Sequence, residues 1–530
     1  MKILSGILNS KLNDYKELSE NVFVYETEKY CISICGNVIV DQQTNSGSMI
    51  ADLYERYSNA ITEHIKGLYI LVIYDKKNHE LSIYHDRTTS PITLYYTYSD
   101  ETLYFSTSLK RLLLLSKIER KLNENVIETF IVNGFIYGEQ TLVENIYKIK
   151  SFHCLKVNEN GALQQKVNYC FTEYSEDSAL ANFKTVLDSA VLKQANGETE
   201  LNAPLSSGYD SSYIVDVLSK QTDLPINAFS IGGKFGKNEL PVVKKNVKCF
   251  DRTKLISELT DSSTLQNYPD IVWRLDGNVY EVGLFLQYEL NKLVNDNRKH
   301  SLICGECADQ VMNQYYFTEE RNAVPDSPSD TYYEFSEYPY VFGSYLILKK
   351  NGILANSFDI ETKYPYLDDE FIALNKPLAE HNGKKKTVHK ENCNACLPKD
   401  IIDNISKIGG STECHSLFEN DDEIQRFFHF VEKSDFFKSH KALIKKHSYS
   451  EKVKPDLVTR LKTKIRNTAY KVMKKETDSA GKYFNDEMKL REYLNYTYLI
   501  LFSELLLSGK HDYKFSNAGI TYNLSNYTKE

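Results

Sequence analysis

The sequence predicts an α/β protein with a β-rich first third and a second domain built on a parallel sheet. Over residues 1 to about 170, short runs of alternating β-branched and aromatic residues, such as 68–74, are separated by turn residues. From about residue 175, helical stretches alternate with short apolar strands, a pattern typical of a parallel sheet covered by helices. After about residue 310 the pattern is helical to the end. We therefore predict domains at 1–172 and 173–530.

The individual elements follow from these periods. The predicted strands of the first domain include 22–25, 30–34, 68–74, 81–84 and 103–106, with helices at 49–57 and 123–133. The predicted strands of the second domain are 199–205, 226–231, 254–258 and 301–304, with helices at 178–194 and 211–220. The apolar run near 498–507 is interrupted by Ser503 and Glu504 and is too short to cross a bilayer, so it predicts a core helix.

Composition excludes several classes of protein. The 530-residue chain carries a net charge of −8, which disfavours a general nucleic-acid binder. Its ten cysteines show no regular spacing, as expected for reduced thiols. Cys393 and Cys396 form a C-x-x-C pair, but no second pair stands at a zinc-like spacing. The first residues do not resemble a signal peptide. We therefore expect a cytoplasmic protein without membrane association.

The stretch from Pro204 to Ser212 lies between a predicted strand and a predicted helix. Its small and hydroxyl residues stand where unpaired helix N–H groups point, which favours binding of an anion such as phosphate. Asp210 could hold Mg²⁺, which binds proteins through one or two carboxylates together with phosphate oxygens. An ordinary serine-rich helix cap explains the same residues, and the stretch alone does not separate the two interpretations.

A second polar cluster, Gly305 to Gln310, follows the predicted strand 301–304. Ligands of open parallel sheets bind beyond the carboxyl ends of the strands, where both clusters would lie. We therefore expect Asp210 and Asp309 to share Mg²⁺ on the phosphates of a nucleotide, with Glu306 near the reacting centre. Lysines at 384–386 and at Lys407 are candidates for stabilising transferred phosphate charge, although single lysines more often face solvent.

Six blocks, in order along the chain, resemble those of the asparagine synthetase class B family. They lie at 84–110, 134–149, 201–212, 304–315, 361–368 and 397–407. The block at 201–212 resembles the family's pyrophosphate-binding S-G-G-x-D-S-S loop, and that at 304–315 resembles its S-G-E-G-A-D-E block. The order of the six blocks makes the resemblance specific.

The resemblance implies two activities on two domains. An N-terminal Ntn-hydrolase-like (αββα) domain hydrolyses glutamine, and a C-terminal PP-loop ATP pyrophosphatase domain adenylates a carboxylate and transfers the acyl group to an amine. Contacts to ATP are implied for Leu205, Ile231, Cys304 and Gly305. Contacts to its phosphates are implied for Ser206, Gly208, Ser211 and Ser212. Mg²⁺ is implied at Asp210 and Asp309, action on the nucleophile for Glu306, and stabilisation of departing AMP for Lys407.

Departures from the family pattern narrow the prediction. Glutamine hydrolysis in the family uses a cysteine exposed after removal of Met1, and this chain has Lys2 there, so we expect no glutaminase activity. Ser207 and Cys307 replace glycines and Gln310 replaces an acid. Lys407 lies one residue further from Pro398 than the pattern requires.

Three branches of the family fit a chain without the cysteine. Lasso-peptide cyclases and β-lactam synthetases close a ring with an internal amine, and an ordinary amide ligase uses free ammonia or a separate amine. Glu306 weighs against the β-lactam branch, which has tyrosine there, and the length and aromatic C-terminal helix favour the lasso cyclases. The prediction is macrolactam formation in a ribosomal peptide, with a precursor peptide and a partner protease as implied partners. A small-molecule amide synthetase and a catalytically degenerate paralogue are the alternatives.

Overall fold

The computed structural model describes most of the chain. The described residues are 1–11, 13–41, 43–88, 91–158, 161–233, 238–312, 344–378, 386–405, 414–418, 420–448, 483–507, 512–515 and 520–523.

The first domain consists of two antiparallel sheets. Its strands are β1 (Ser5–Asn9), β2 (Asp14–Glu17), β3 (Phe23–Glu26), β4 (Tyr30–Gly36), β5 (Ile39–Val40), β6 (Gln43–Thr44), β7 (Tyr69–Asp75), β8 (Glu80–His85), β9 (Tyr95–Ser99), β10 (Thr102–Ser106), β11 (Tyr147–Lys148), β12 (His153–Asn158) and β13 (Gly161–Lys166). One sheet has the order β11-β9-β10-β1-β2 and the other the order β13-β12-β8-β7-β4-β3. A short ribbon, β5-β6, stands apart from both.

Side chains that alternate between the two faces of each strand divide this domain into layers. In β7, Ile70 and Val72 belong to the apolar core that also holds Leu8 and Phe105 of the five-stranded sheet. The intervening residues of β7 face the opposite way, into a second core shared with α1 (Gly47–Tyr57). On the outer side of the five-stranded sheet, α2 (Leu109–Ser116) packs against β9 and β10. The domain is therefore a helix–sheet–sheet–helix sandwich.

The second domain carries parallel strands, in one sheet of three strands and an adjacent sheet of two. Its strands are β14 (Leu201–Pro204), β15 (Ile226–Gly233), β16 (Thr253–Thr260), β17 (Ser301–Ile303) and β18 (Glu361–Lys363). The pairs β14–β15, β15–β16 and β17–β18 are parallel, and β17 lies beside β14. The carboxyl ends of these strands therefore meet along one edge.

Helices cover this sheet and form the end of the chain. After α3 (Ile127–Asn133) of the first domain, they are α4 (Glu176–Lys193), α5 (Tyr209–Gln221), α6 (Leu240–Asn246), α7 (Tyr268–Leu275), α8 (Leu284–Asp296), α9 (Ala308–Val311), α10 (Lys349–Ser357), α11 (Asp369–Asn375), α12 (Thr387–Cys396), α13 (Lys399–Asn404), α14 (Asp421–Lys433), α15 (Asp435–Ser439), α16 (Lys441–His447) and α17 (Tyr483–Phe502). The last strands are β19 (Asp512–Phe515) and β20 (Ile520–Asn523), an antiparallel pair.

The predicted α/β fold class is confirmed, with the parallel sheet and helical C-terminal region. Two strand features fall where the sequence predicted helix throughout, namely β18 and the β19–β20 pair. β18 has three residues, which is too short to show a period of two. The apolar run near the C-terminus forms the buried end of α17, as predicted. Within the described residues, no helix is long and apolar enough to cross a membrane.

Polar contacts join the two domains beside β18. Lys2 Nζ lies 2.9 Å from Glu361 Oε2, and Asn37 Nδ2 donates to the other oxygen of Glu361 at 3.2 Å. At the other end of this segment, Arg87 donates to Leu367 O at 2.5 Å and lies 3.2 Å from Asp369. The first domain therefore holds the residues that lead from β18 into α11 at both ends.

Candidate active site

The loop between β14 and α5 stands at the carboxyl edge of the parallel sheet. The Leu205 N–H donates to Phe229 O at 2.8 Å and extends the strand pairing by one residue. The chain then turns, and Gly208 is the N-cap residue of α5. This confirms the predicted strand–turn–helix arrangement at the opening of the loop.

Two serines tie the loop together from within. The Ser206 N–H donates to Ser211 Oγ at 3.1 Å, and the two hydroxyls lie 2.9 Å apart. The Gly208 N–H donates to Ser206 Oγ at 3.2 Å. These hydroxyls fix the turn while their exposed sides remain at the cavity described below, where a phosphate could bind.

Ser207 is fully buried and does not itself line the cavity, although its partner Glu239 does. Its N–H and its hydroxyl both donate to Glu239 Oε2, at 2.9 and 3.1 Å. A serine in place of the glycine of the family pattern is therefore accommodated, because its N–H and hydroxyl are both paired with Glu239 and its side chain does not line the cavity.

Asp210 and Asp309 come from two different strand ends and share one cation. Lys386 Nζ donates to both oxygens of Asp210 at 2.8 Å and lies 2.5 Å from an oxygen of Asp309. His389 Nε2 lies 3.1 Å from Asp210. Burial alone would raise the pKa of Asp210, but Lys386 and His389 outweigh burial and hold that pKa below its usual range. The two carboxylates therefore form one cation-binding pair.

Glu306 follows β17, and one of its carboxylate oxygens is buried with no hydrogen-bond partner in the ranges that the structure describes. Burial raises the pKa of Glu306, and the nearby Lys350 and Asn351 act in the opposite direction. A carboxyl group with a raised pKa can accept or hold a proton close to neutral pH, as a general base or acid must.

The backbone on either side of Glu306 explains why the family pattern has glycine at the positions of Gly305 and Cys307. A Cβ on Gly305 would lie 3.3 Å from the Ser211 nitrogen, so glycine allows this turn to lie against the start of α5. Cys307 has φ +66°, a left-handed conformation that favours glycine. Cysteine therefore carries backbone strain where the family pattern has glycine.

A cavity of about 440 Å³ brings these groups together. The site residues predicted from the sequence that line it are Leu205, Ser206, Asp210, Ser211, Ile231, Gly305, Glu306 and Asp309. Gly208 is not among its lining residues, and Ser212 and Cys304 are buried behind its wall. The contacts of these three with ATP stay predictions, and Lys407 lies outside the described residues.

Several groups of the site were not assigned from the sequence. Lys386 was one of three candidate lysines; it is the N-cap residue of α12, and its partner His389 lies in the first turn of that helix. No sequence pattern indicated that Glu239 or Lys350 would lie at the site. In the described part of the chain, no group of three or more His, Cys, Asp or Glu side chains is arranged to hold a metal ion.

Comparisons with known proteins place both domains. The family model of the glutamine amidotransferase domain matches residues 40–169, and that of asparagine synthase matches residues 182–340. Over 322 residues the chain is 22% identical to asparagine synthetase [glutamine-hydrolyzing] 1 of Bacillus subtilis, covering 59% of this chain and 48% of that protein. Over 253 residues it is 26% identical to putative asparagine synthetase [glutamine-hydrolyzing] 2 of Methanocaldococcus jannaschii, covering 46% of each.

The chain spans about half the length of these curated relatives. A solved glutamine phosphoribosylpyrophosphate amidotransferase from B. subtilis matches with 9% identity and a TM-score of 0.19, covering 61% of this chain and 71% of that one, which is too low to compare the folds. In its two matched domains and their order, the chain is similar to the asparagine synthetases.

Proposed function

We propose that this protein is an ATP-dependent, AMP-forming amide-bond synthetase without glutaminase activity. The observation that carries the proposal is the single cavity in which the β14–α5 loop, the Asp210–Asp309 pair and Glu306 meet. The loop supplies hydroxyl and N–H groups for a phosphate chain. The two aspartates supply carboxylates of the kind that bind Mg²⁺.

The paired aspartates fit a divalent cation. Both carboxylates already lie within 2.8 Å of one ammonium nitrogen, that of Lys386, so their spacing suits a shared positive charge. Mg²⁺ at this position would neutralise charge on the phosphates of ATP and on departing pyrophosphate. Ser206 and Ser211 would orient the phosphates from the other side of the loop.

The proposed reaction has two steps. A carboxylate oxygen of the acyl substrate attacks the α-phosphorus of ATP, and the bond to pyrophosphate breaks, which gives an acyl-adenylate. An amine then attacks the acyl carbon, and the bond to AMP breaks as the amide forms. Glu306 would take the proton that the amine loses, in keeping with its raised pKa. Lys407, by resemblance, would stabilise the charge on AMP.

The N-terminal residues support the absence of glutaminase activity. The amidotransferase match begins at residue 40, and Lys2 stands where the family has its nucleophilic cysteine. The Lys2 ammonium is engaged by Glu361 at 2.9 Å. A protonated amine cannot replace a thiolate as the nucleophile. The amine that attacks the adenylate would therefore come from another source than glutamine held in this domain.

For the product, we propose a macrolactam in a ribosomal, lasso-type peptide. The missing nucleophile and the presence of glutamate at position 306 favour this branch over a glutamine-dependent or β-lactam-forming enzyme. A precursor peptide would supply both the carboxylate and the amine, and a protease would supply the free amine. Mg²⁺ and ATP would be required, and we expect the reaction to take place in the cytoplasm.

Pyrophosphate release tests the proposal. Purified protein with ATP, Mg²⁺ and candidate carboxylates, including peptides, should release pyrophosphate and AMP. Asp210→Ala should abolish release, because it removes one of the two paired carboxylates. Ser207→Gly is the matched control in the same loop and should retain release, since the Ser207 side chain is buried and does not line the cavity.

Three results would contradict parts of the proposal. Full activity of Asp210→Ala would contradict the assignment of the site. Absence of pyrophosphate and AMP with every carboxylate would favour a catalytically degenerate paralogue. Release of glutamate from glutamine would contradict the proposed loss of glutaminase activity.

A further inference from the structure

Gln310 is a buried amide side chain that lines the cavity. It lies on α9, is 2% exposed, and neither its Nε2 nor its Oε1 has a hydrogen-bond partner among the residues that the structure describes. A buried polar group usually has a partner, because leaving it unpaired costs free energy. The cavity wall therefore presents both a donor and an acceptor that a bound molecule can satisfy.

A second unsatisfied amide oxygen lines the same cavity. Asn351 of α10 is 2% exposed, and within the described part of the chain its Oδ1 has no hydrogen-bond partner. Asn351 neighbours Glu306, whose pKa its side chain lowers, so this acceptor lies beside the proposed reacting centre. Lys350, the adjacent cation, is paired with Glu281 at 2.8 Å.

The surrounding charges restrict which group can pair with Gln310. A second carboxylate on the substrate would face Glu306 and Asp309, which line the same cavity. A substrate ammonium offers only donors, and would leave the Nε2 hydrogens of Gln310 without an acceptor. A secondary amide offers one donor and one acceptor, and would satisfy both ends of the Gln310 side chain without a net charge.

Several apolar side chains also line this cavity. They are Phe285, Leu286 and Leu290 of α8, together with Ile347 and Leu417. Such a surface gains from covering hydrocarbon and does not stabilise a small zwitterion. These apolar residues therefore suit a substrate that carries hydrocarbon groups in addition to the reacting carboxylate.

We infer that Gln310, with Asn351, binds a backbone amide of the acyl substrate, so that the substrate class is a peptide-like carboxylate and not a free amino acid. The inference rests on the proposed function, because it concerns the acyl substrate of that same cavity. It assigns Gln310 to substrate specificity and leaves the ATP contacts to the β14–α5 loop.

Binding can be measured separately from chemistry. The probes are the N-acetyl, N-methylamide derivatives of L-aspartate and L-glutamate, which keep the side-chain carboxylate and flank it with two secondary amides. Calorimetric titration with Mg²⁺ and a non-hydrolysable ATP analogue compares them with free L-aspartate and L-glutamate. We expect a capped probe to bind about tenfold more tightly than its free amino acid, a difference of about 1.4 kcal/mol.

The variants then identify the group responsible. Gln310→Leu should weaken binding of the capped probe about tenfold and leave the affinity for the ATP analogue unchanged. Gln310→Glu, which keeps a polar group of similar size, should reverse the preference towards the free amino acid, because a carboxylate accepts from its ammonium. Gln266→Leu, at an exposed glutamine of the same domain, is the matched control.

Two readouts keep the inference and the proposed function apart. Equal binding of capped and free compounds, failure of both capped probes to bind, or unchanged binding in both Gln310 variants would overturn the inference. Capped probes that bind as expected but never give pyrophosphate with ATP would overturn the proposed function and leave the amide-binding site in place.

Discussion

Replacing Arg87 with methionine should loosen the junction between the two domains. The Arg87 side chain is 1% exposed and donates to Leu367 O at 2.5 Å and to Gly67 O at 3.1 Å, while its Nη1 lies 3.2 Å from Asp369. Methionine keeps most of the volume and removes every donor. The Asp369 carboxylate, whose side chain is 16% exposed, would then keep the Gly67 N–H at 3.0 Å but lose the guanidinium charge.

The expected loss in the free energy of unfolding depends on whether the Asp369 carboxyl stays charged after Arg87 is removed. Removing one member of a buried ion pair costs about 3–5 kcal/mol, because the other charge is left uncompensated. Burial already raises the pKa of Asp369, so protonation of this carboxyl limits the penalty. We therefore expect a loss of about 3 kcal/mol in the free energy of unfolding, at the lower end of that range.

Urea unfolding of the variants measures this loss. Arg111→Met is the matched control, because Arg111 pairs with the exposed Glu20 of the same domain and should contribute less than about 1 kcal/mol. Asp369→Asn completes a double-mutant cycle, in which the double variant should be less destabilised than the sum of the single variants. A loss for Arg87→Met equal to that of Arg111→Met, or strict additivity in the cycle, would refute the reasoning.

Two further predictions concern the Cys307 turn and the contact between α3 and α16. Cys307→Gly should keep the unfolding free energy within about 1 kcal/mol of wild type and leave ATP affinity unchanged, because glycine adopts φ +66° without strain. The β-branched variant Cys307→Val should be clearly less stable. Calorimetry compares the two variants, and a Cys307→Val variant more stable than Cys307→Gly would contradict this prediction. The hydrogen bond from Lys446, at 2.8 Å, and the neighbouring His447 lower the pKa of Glu128 in the folded protein. The stability that this carboxylate contributes should therefore be fully present above about pH 4.5, the pKa of an unperturbed glutamate. It should disappear as the pH falls through the lowered pKa of the folded state. Unfolding of wild type and Glu128→Gln from pH 7 to pH 3 measures that contribution, and a difference that does not change with pH would contradict it.

Sequence patterns were sufficient to predict those parts of the fold and of the candidate site whose residues are close together in the chain. The loop from Pro204 to Ser212 shows its strand, turn and helix within a few residues, and the structure has that order. The meeting of Asp210 with Asp309 could also be expected, because both follow strands that the sequence predicts to be parallel, and the carboxyl ends of such strands share an edge.

Contacts across long sequence separations could not be predicted in this way. Lys386 and His389 lie 176 and 179 residues beyond Asp210, and no local period connects them. The pairing of Ser207 with Glu239 depends on where α6 begins relative to the loop, which the chain determines through tertiary packing. Lys2 indicated a missing nucleophile from sequence alone, but its contact with Glu361 required the placement of β18.

The cavity wall carries an excess of acidic groups that determines how a nucleotide can enter. Its described lining includes the carboxylates of Asp210, Glu239, Asp261, Glu306 and Asp309, against the ammonium of Lys350 and that of Lys386, which pairs with Asp210 and Asp309. A bare polyphosphate approaching this wall meets like charge, whereas a nucleotide already complexed with a divalent cation arrives with much of its charge neutralised. The wall therefore acts as an electrostatic filter that favours the metal complex over the free polyanion, and Glu239 extends that filter to the loop itself.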